Sequence, residues 1–105
     1  MIEGSWLSAT ITYLTDADLT AEVDLGRRYE TLEVFIPTLD STTLILHAAE
    51  KTGGTYYPVG NSVSIAATTG GYKDTWIMGA VQFIKIETGT DQTENRTFRV
   101  SGVRG

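Results

Sequence analysis

Few residues in this chain are of types that do chemistry, and their spacing narrows the choice further. The single histidine, His47, lies inside a run of β-forming residues, 43–48. A catalytic histidine needs a nucleophile or carboxylate set against it. No glycine-rich phosphate loop, His-Glu helix motif or nucleophile elbow accompanies it, so His47 is expected to hydrogen-bond within the fold. Asp16 and Asp18 offer two oxygens to a cation, but a calcium loop of this kind supplies roughly five or more ligands and a glycine. Acidic residues in turns more often bond their own backbone, and Asp40 in Pro37-Thr38-Leu39-Asp40-Ser41 reads the same way. There is no cysteine, which excludes disulfides and thiolate metal sites. The expectation is a chain with no catalytic residues, no metal and no cofactor.

The aromatic residues carry more information. Trp6, Tyr56, Tyr57, Tyr72 and Trp76 all sit at strand ends or beside glycine turns, and in a sandwich the loops at those ends carry recognition. Two chemistries use such rings. A sugar site stacks pyranose faces on them, with carboxylates and amides nearby for the hydroxyls. A protein contact uses Tyr and Trp as central anchors. For Trp76 and Tyr29 a plain structural role, closing the open end of the core, is at least as good an account. Asn95-Arg96-Thr97 matches the glycosylation sequon, but the first residues lack the basic region and apolar run of a secretion signal, so the match is read as coincidence.

These side chains must be positioned by strands. At 105 residues, with 41% hydrophobic and 20% charged content, the chain is long enough for one core and one domain. Thirteen acidic against eight basic residues give a net charge of −5, which argues against a nucleic-acid backbone as partner. No stretch approaches the roughly 20 apolar residues of a membrane span. Residues 32–36 and 43–48 read as an antiparallel pair broken by Pro37 and the turn-forming residues 39–42. In the first run Leu32, Val34 and Ile36 share one face, with Thr31, Glu33 and Phe35 on the other. In the second, Leu44 and Leu46 oppose Ile45, which suits a strand covered on both sides.

Residues 6–14 begin a strand with Ala9, Ile11 and Tyr13 on one face. Leu19, Ala21, Val23 and Leu25 alternate with Thr20, Glu22 and Asp24 as in a half-buried strand. Residues 55–59 form a short strand that Pro58 confines to an edge. A turn at Gly60-Asn61 leads to a short strand with Val63 and Ile65 inward, and residues 68–71 form a loop tip. Residues 75–78 and 81–88 are two strand pieces kinked at Gly79. A polar turn over 89–94 precedes a last strand over 95–103, with Phe98 and Val100 on one face. Seven to nine short strands with frequent turns predict an all-β fold, an antiparallel β-sandwich of jelly-roll type. A single domain over residues 6–105 would follow an irregular arm over 1–5.

Several pieces resemble a group of small tailed-bacteriophage virion proteins: Asp24-Leu25-Gly26 with Tyr29, Ile36 through Ser41, Gly53-Gly54-Thr55-Tyr56, Gln82-Phe83-Ile84-Lys85, and Asn95-Arg96-Thr97-Phe98 through Gly102-Val103-Arg104. The group includes β-sandwich capsid decoration (cement) proteins and related head and tail components. The resemblance implies a structural, non-enzymatic virion protein made in the host cytoplasm and bound to the outer capsid surface. Its partner would be the major capsid protein, and its own state a homo-oligomer, a trimer being one form. The arm together with Trp6 that follows it, and the strand-end rings Tyr57 and Tyr72, would anchor it. The alternative from the rings alone is a carbohydrate-binding module, free or as an adhesion domain of a tail or fibre, stacking sugars on Trp76, Tyr72 or Tyr57.

Overall fold

The computed structural model describes residues 2–60 and 65–104, and every regular element there is a strand: β1 (Ile2–Glu3), β2 (Leu7–Ile11), β3 (Val23–Ala49), β4 (Tyr57–Pro58), β5 (Ile65–Thr88) and β6 (Arg96–Arg104). All pairings are antiparallel. Two of the strands are very long, and both serve two layers. Residues 29–38 of β3 lie between β6 and residues 70–81 of β5, and β2 flanks β6 on its far side. Residues 44–49 of β3 instead pair with residues 83–88 of β5, and β4 pairs at His47 and Ala48. Residues 83–84 also pair with Val23 and Asp24, so the end of β5 runs centrally in the second layer.

The core fills the space between. Ala9, Ile11, Leu32, Val34, Ile36, Trp76, Phe98 and Val100 point inward from the first layer, and Val23, Leu44, Leu46, Ile84 and Ile86 from the second. Alternation accounts for this: inward residues recur at every second position. Each fully buried side chain of this size contributes about 1.5–3 kcal/mol of transfer free energy. The fold is thus the expected antiparallel sandwich.

The connections differ from the expectation. Residues 32–36 and 43–48 do not pair with each other across a turn; they are successive parts of β3. Register shifts between Thr38 and Thr42 absorb the extra residues, as a β-bulge does. Leu39 drops into the core there, and the Asp40 amide donates to Gln92 Oε1 at 2.8 Å instead of to a ladder. Likewise 68–71 is no loop tip but part of β5, opposite residues 38–42. Gly70 makes this possible: at φ 67° any Cβ would stand 2.0 Å from the Pro37 carbonyl oxygen. Gly79, at φ 76°, marks the expected kink, where β5 passes from one layer to the other. The predicted inward face of Val63 and the turn at Asn61 lie outside the described residues.

Two further differences concern the termini of strands. The regular alternation over 19–25 fails, because Thr20 is buried and Ala21 exposed. Thr20 exchanges bonds with Ile86, its amide donating to the Ile86 carbonyl and its hydroxyl accepting from the Ile86 amide, each at 3.0 Å. Residues read as an irregular arm are partly ordered by the sheet: β1 pairs with β6, and the Gly4 amide donates to the Gly102 carbonyl at 2.8 Å. Between these two glycines lies Tyr29, itself buried; a Cβ on Gly102 would meet Tyr29 Cδ2 at 2.2 Å, and one on Gly4 would meet its hydroxyl at 2.9 Å.

Candidate functional site

His47 does what its place in a strand predicts. Its Nε2 is 2.8 Å from Glu87 Oε1 on the neighbouring strand, and among the described residues no hydroxyl hydrogen-bonds to it. Burial, with the hydrogen bond and charge of Asp16 and the nearby Glu87 and Asp91, raises the Asp18 carboxyl above its ordinary value. Among the described residues no three His, Cys, Asp or Glu side chains converge in a way that could hold a metal.

The five candidate rings do not form one site. Trp76 is 3% exposed in the core, and its indole Nε1–H donates to Asp74 Oδ2 at 3.1 Å. This takes it out of any recognition surface: its strand position faces inward opposite Leu32. Tyr72 stands partly exposed on β5, opposite Ile36. Trp6 lies on the outer face of the first layer, where its ring packs on Phe35 at 5.1 Å between centroids, tilted by 42°. The two rings keep 42% and 49% of their surface in water, and Ile77 on the same face keeps 66%. Charged groups flank the rings: Arg99 Nη1 donates to Ser8 Oγ at 2.7 Å, and the Lys73–Glu33 pair lies between Phe35 and Ile77 along the face. Bonds from Lys73 and Thr75 hold the Glu33 carboxyl below its ordinary range.

Tyr56 and Tyr57 are neighbours with opposite fates. The loop after β3 folds back across the second layer onto Glu22, whose carboxylate accepts from Thr52 Oγ1 at 2.6 Å, Gly53 N at 3.0 Å and Tyr56 Oη at 2.5 Å. Those bonds, Thr52's first, lower the Glu22 carboxyl. Burial first, then Glu22, holds the Tyr56 phenol well above its ordinary value. Lys85 Nζ caps the Tyr56 ring at 4.8 Å. Tyr56 is therefore a structural clamp, whereas Tyr57 beside it is 67% exposed. Its ring walls an open cleft of about 300 Å³ with Arg28, Glu50 and Gln82, floored by Ala48, Ala49, Ala80 and Val81. A second open cleft of about 390 Å³, lined by Arg28, Glu30, Ala80 and Arg104, adjoins it through Arg28 and Ala80.

Sequence reasoning did not single out Phe35, Ile77, Arg28 or Arg104. Phe35 had a signal, since alternation already put it on the face opposite Leu32, Val34 and Ile36. The arginines had none, because residue 28 joins residues 57 and 82 in one cleft and residue 104 in the next only through the crossing of the two long strands.

No family model matches the sequence, and no curated protein matches it significantly. Solved structures do share the fold. The SPBc2 prophage-derived protein YomS is 11% identical, with a TM-score of 0.56 over 97% of each chain. A family 32 carbohydrate-binding module of NanJ from Clostridium perfringens, solved with galactose, is 13% identical with a TM-score of 0.56, covering 95% of this chain and 99% of that one. A family 89 glycoside hydrolase from the same organism matches 96% of this chain at 17% identity and a TM-score of 0.50, but only 12% of its own length is covered. At these identities the likeness concerns the fold.

Proposed function

We propose that this chain is a non-catalytic structural component of a phage virion that works by binding, with the outer face of its first layer docking onto another virion protein. The observation that carries this reading is the Trp6–Phe35 pair, two contacting rings left about half in water on a face that also exposes Ile77 further along. Large aromatic side chains ringed by polar groups are the usual anchors of protein interfaces, and apolar area left in water forgoes about 25 cal/mol per Å². The whole-length likeness to a prophage-derived protein supports the phage setting. In its most specific form the chain is a capsid decoration protein on the outer surface of the head. The major capsid protein is then its partner and a homo-oligomer, such as a trimer, its working state. Bridging neighbouring capsid subunits over at least roughly 1,000 Å² would hold the shell against loosening.

The test is co-sedimentation of the purified chain with undecorated capsids. Binding at micromolar protein that is lost on Trp6→Ala with Phe35→Ala supports the reading, and no binding overturns it. Copy number per virion separates head decoration, on the order of hundreds of copies, from a tail or portal component present in a handful.

A second reading is favoured by one observation, the Tyr57 cleft: the exposed Tyr57, three alanines, Gln82 and Glu50 line one concavity. That combination suits a saccharide, and a galactose-bound module shares the fold. A glycan array decides it, since a pure decoration protein gives no sugar-dependent signal.

A further inference from the structure

The cations of this acidic chain are unevenly engaged. Lys73 pairs with Glu33, Arg96 bridges Asp40 and Glu94, Arg99 bonds Ser8, and Lys85 caps Tyr56. The side chains of Lys51, Arg27, Arg28 and Arg104 make no hydrogen bond or ion pair with any described residue, and of these four Arg28 and Arg104 line the cleft that adjoins the Tyr57 concavity. Their setting is built rather than loose. Residues 25–28 lie in the register shift between Asp24 and Tyr29, where Asp24 Oδ1 accepts from Gly26 N at 2.8 Å and Gln82 Nε2 at 3.0 Å. Arg104 sits at the end of β6 beyond the Gly102–Tyr29 contact. An arginine fork is made for the paired oxygens of a carboxylate or phosphate.

We propose that the two adjoining clefts form one binding site for a saccharide bearing an anionic group, resting on the saccharide reading above. The Tyr57 ring stacks on a sugar face, the Gln82 side-chain oxygen and the Glu50 carboxylate accept from its hydroxyls, and Arg28 with Arg104 receives a carboxylate or phosphate on the same or the adjacent unit.

The test is an NMR titration of the full chain at low salt with three probes: tetragalacturonate, its fully methyl-esterified neutral form, and galactose 6-phosphate. Binding of either anionic probe, mapped to the amides of residues 28, 57, 80–82 and 104, supports the site, and which of the two binds identifies the oxyanion. Arg28→Gln should weaken it about tenfold or more, the loss of one charge-assisted bond. Tyr57→Ala should weaken every probe. Equal binding of the neutral ester, or full binding by Arg28→Gln, overturns the anionic inference while leaving the saccharide reading standing. No shift with any probe at roughly 10 mM, beyond the weakest useful affinity, overturns both, as does binding mapped elsewhere.

Discussion

Gln92 is the residue whose removal the structure predicts most sharply. It sits in a polar turn yet is 2% exposed. Its Oε1 accepts from Asp40 N at 2.8 Å and Arg96 Nε at 3.2 Å, and its Nε2 donates to Thr90 O at 3.0 Å and Asp40 O at 3.3 Å. It therefore serves the backbone that the bulge at residues 38–42 of β3 leaves without ladder partners. Gln92→Ala removes all four bonds. With each worth about 0.5–1.5 kcal/mol net and water re-entering beside exposed Thr90, the loss comes to about 3 kcal/mol. For a domain of this size that lowers Tm by about 12 °C. Urea unfolding followed by tryptophan fluorescence measures it. Gln92→Glu provides a control of equal shape. It keeps the acceptor for Asp40 N and Arg96 but turns a carboxylate oxygen toward the carbonyls of Asp40 and Thr90. Its deficit should exceed half that of the alanine variant at neutral pH and shrink in acid, where a protonated carboxyl can donate again. A cost below about 1 kcal/mol for Gln92→Ala would refute the claim that this side chain stands in for the ladder.

Three other outcomes follow from the same structure. Gly102→Ala drives a Cβ to 2.2 Å from Tyr29. It should destabilise by about 1–3 kcal/mol or more, read by thermal unfolding; wild-type stability would mean that Tyr29 does not pack there. Thr20→Val removes the acceptor of the buried Ile86 amide and should cost about 1–3 kcal/mol, with faster hydrogen exchange at Ile86. The Glu22 carboxyl is lowered in the folded chain, so its contribution is complete above its ordinary value and fades as pH falls through the folded value. The protection of the Gly53 amide, relative to its intrinsic exchange rate at each pH, should accordingly fall as pH drops below the ordinary carboxylate range, and Glu22→Gln should show low protection already at neutral pH. Protection that does not change with pH would count against Glu22 as the loop's clamp.

Alternation along the chain was enough to determine the fold class and most of the core. Leu32, Val34 and Ile36, Leu44 and Leu46, and Phe98 and Val100 all face inward as their period-two spacing requires. That signal is local and follows from the pleat of a strand, so it survives without knowledge of partners. It failed where tertiary bonds outweighed it. Thr20 turned inward because it could satisfy Ile86, and Pro37 did not end a strand because a bulge, Gln92 and Gly70 together took up its consequences. Ring positions were legible, but not which rings face water: Trp76 is held in the core by Asp74, Tyr56 is claimed by Glu22 some 34 residues away in sequence, and Trp6 and Tyr57 remain outside. The placing of Arg28 between the Tyr57 cleft and the Arg104 cleft depends on two long strands each crossing between layers. Contacts of such sequence separation are set by the closed sandwich, and no short window of residues encodes them.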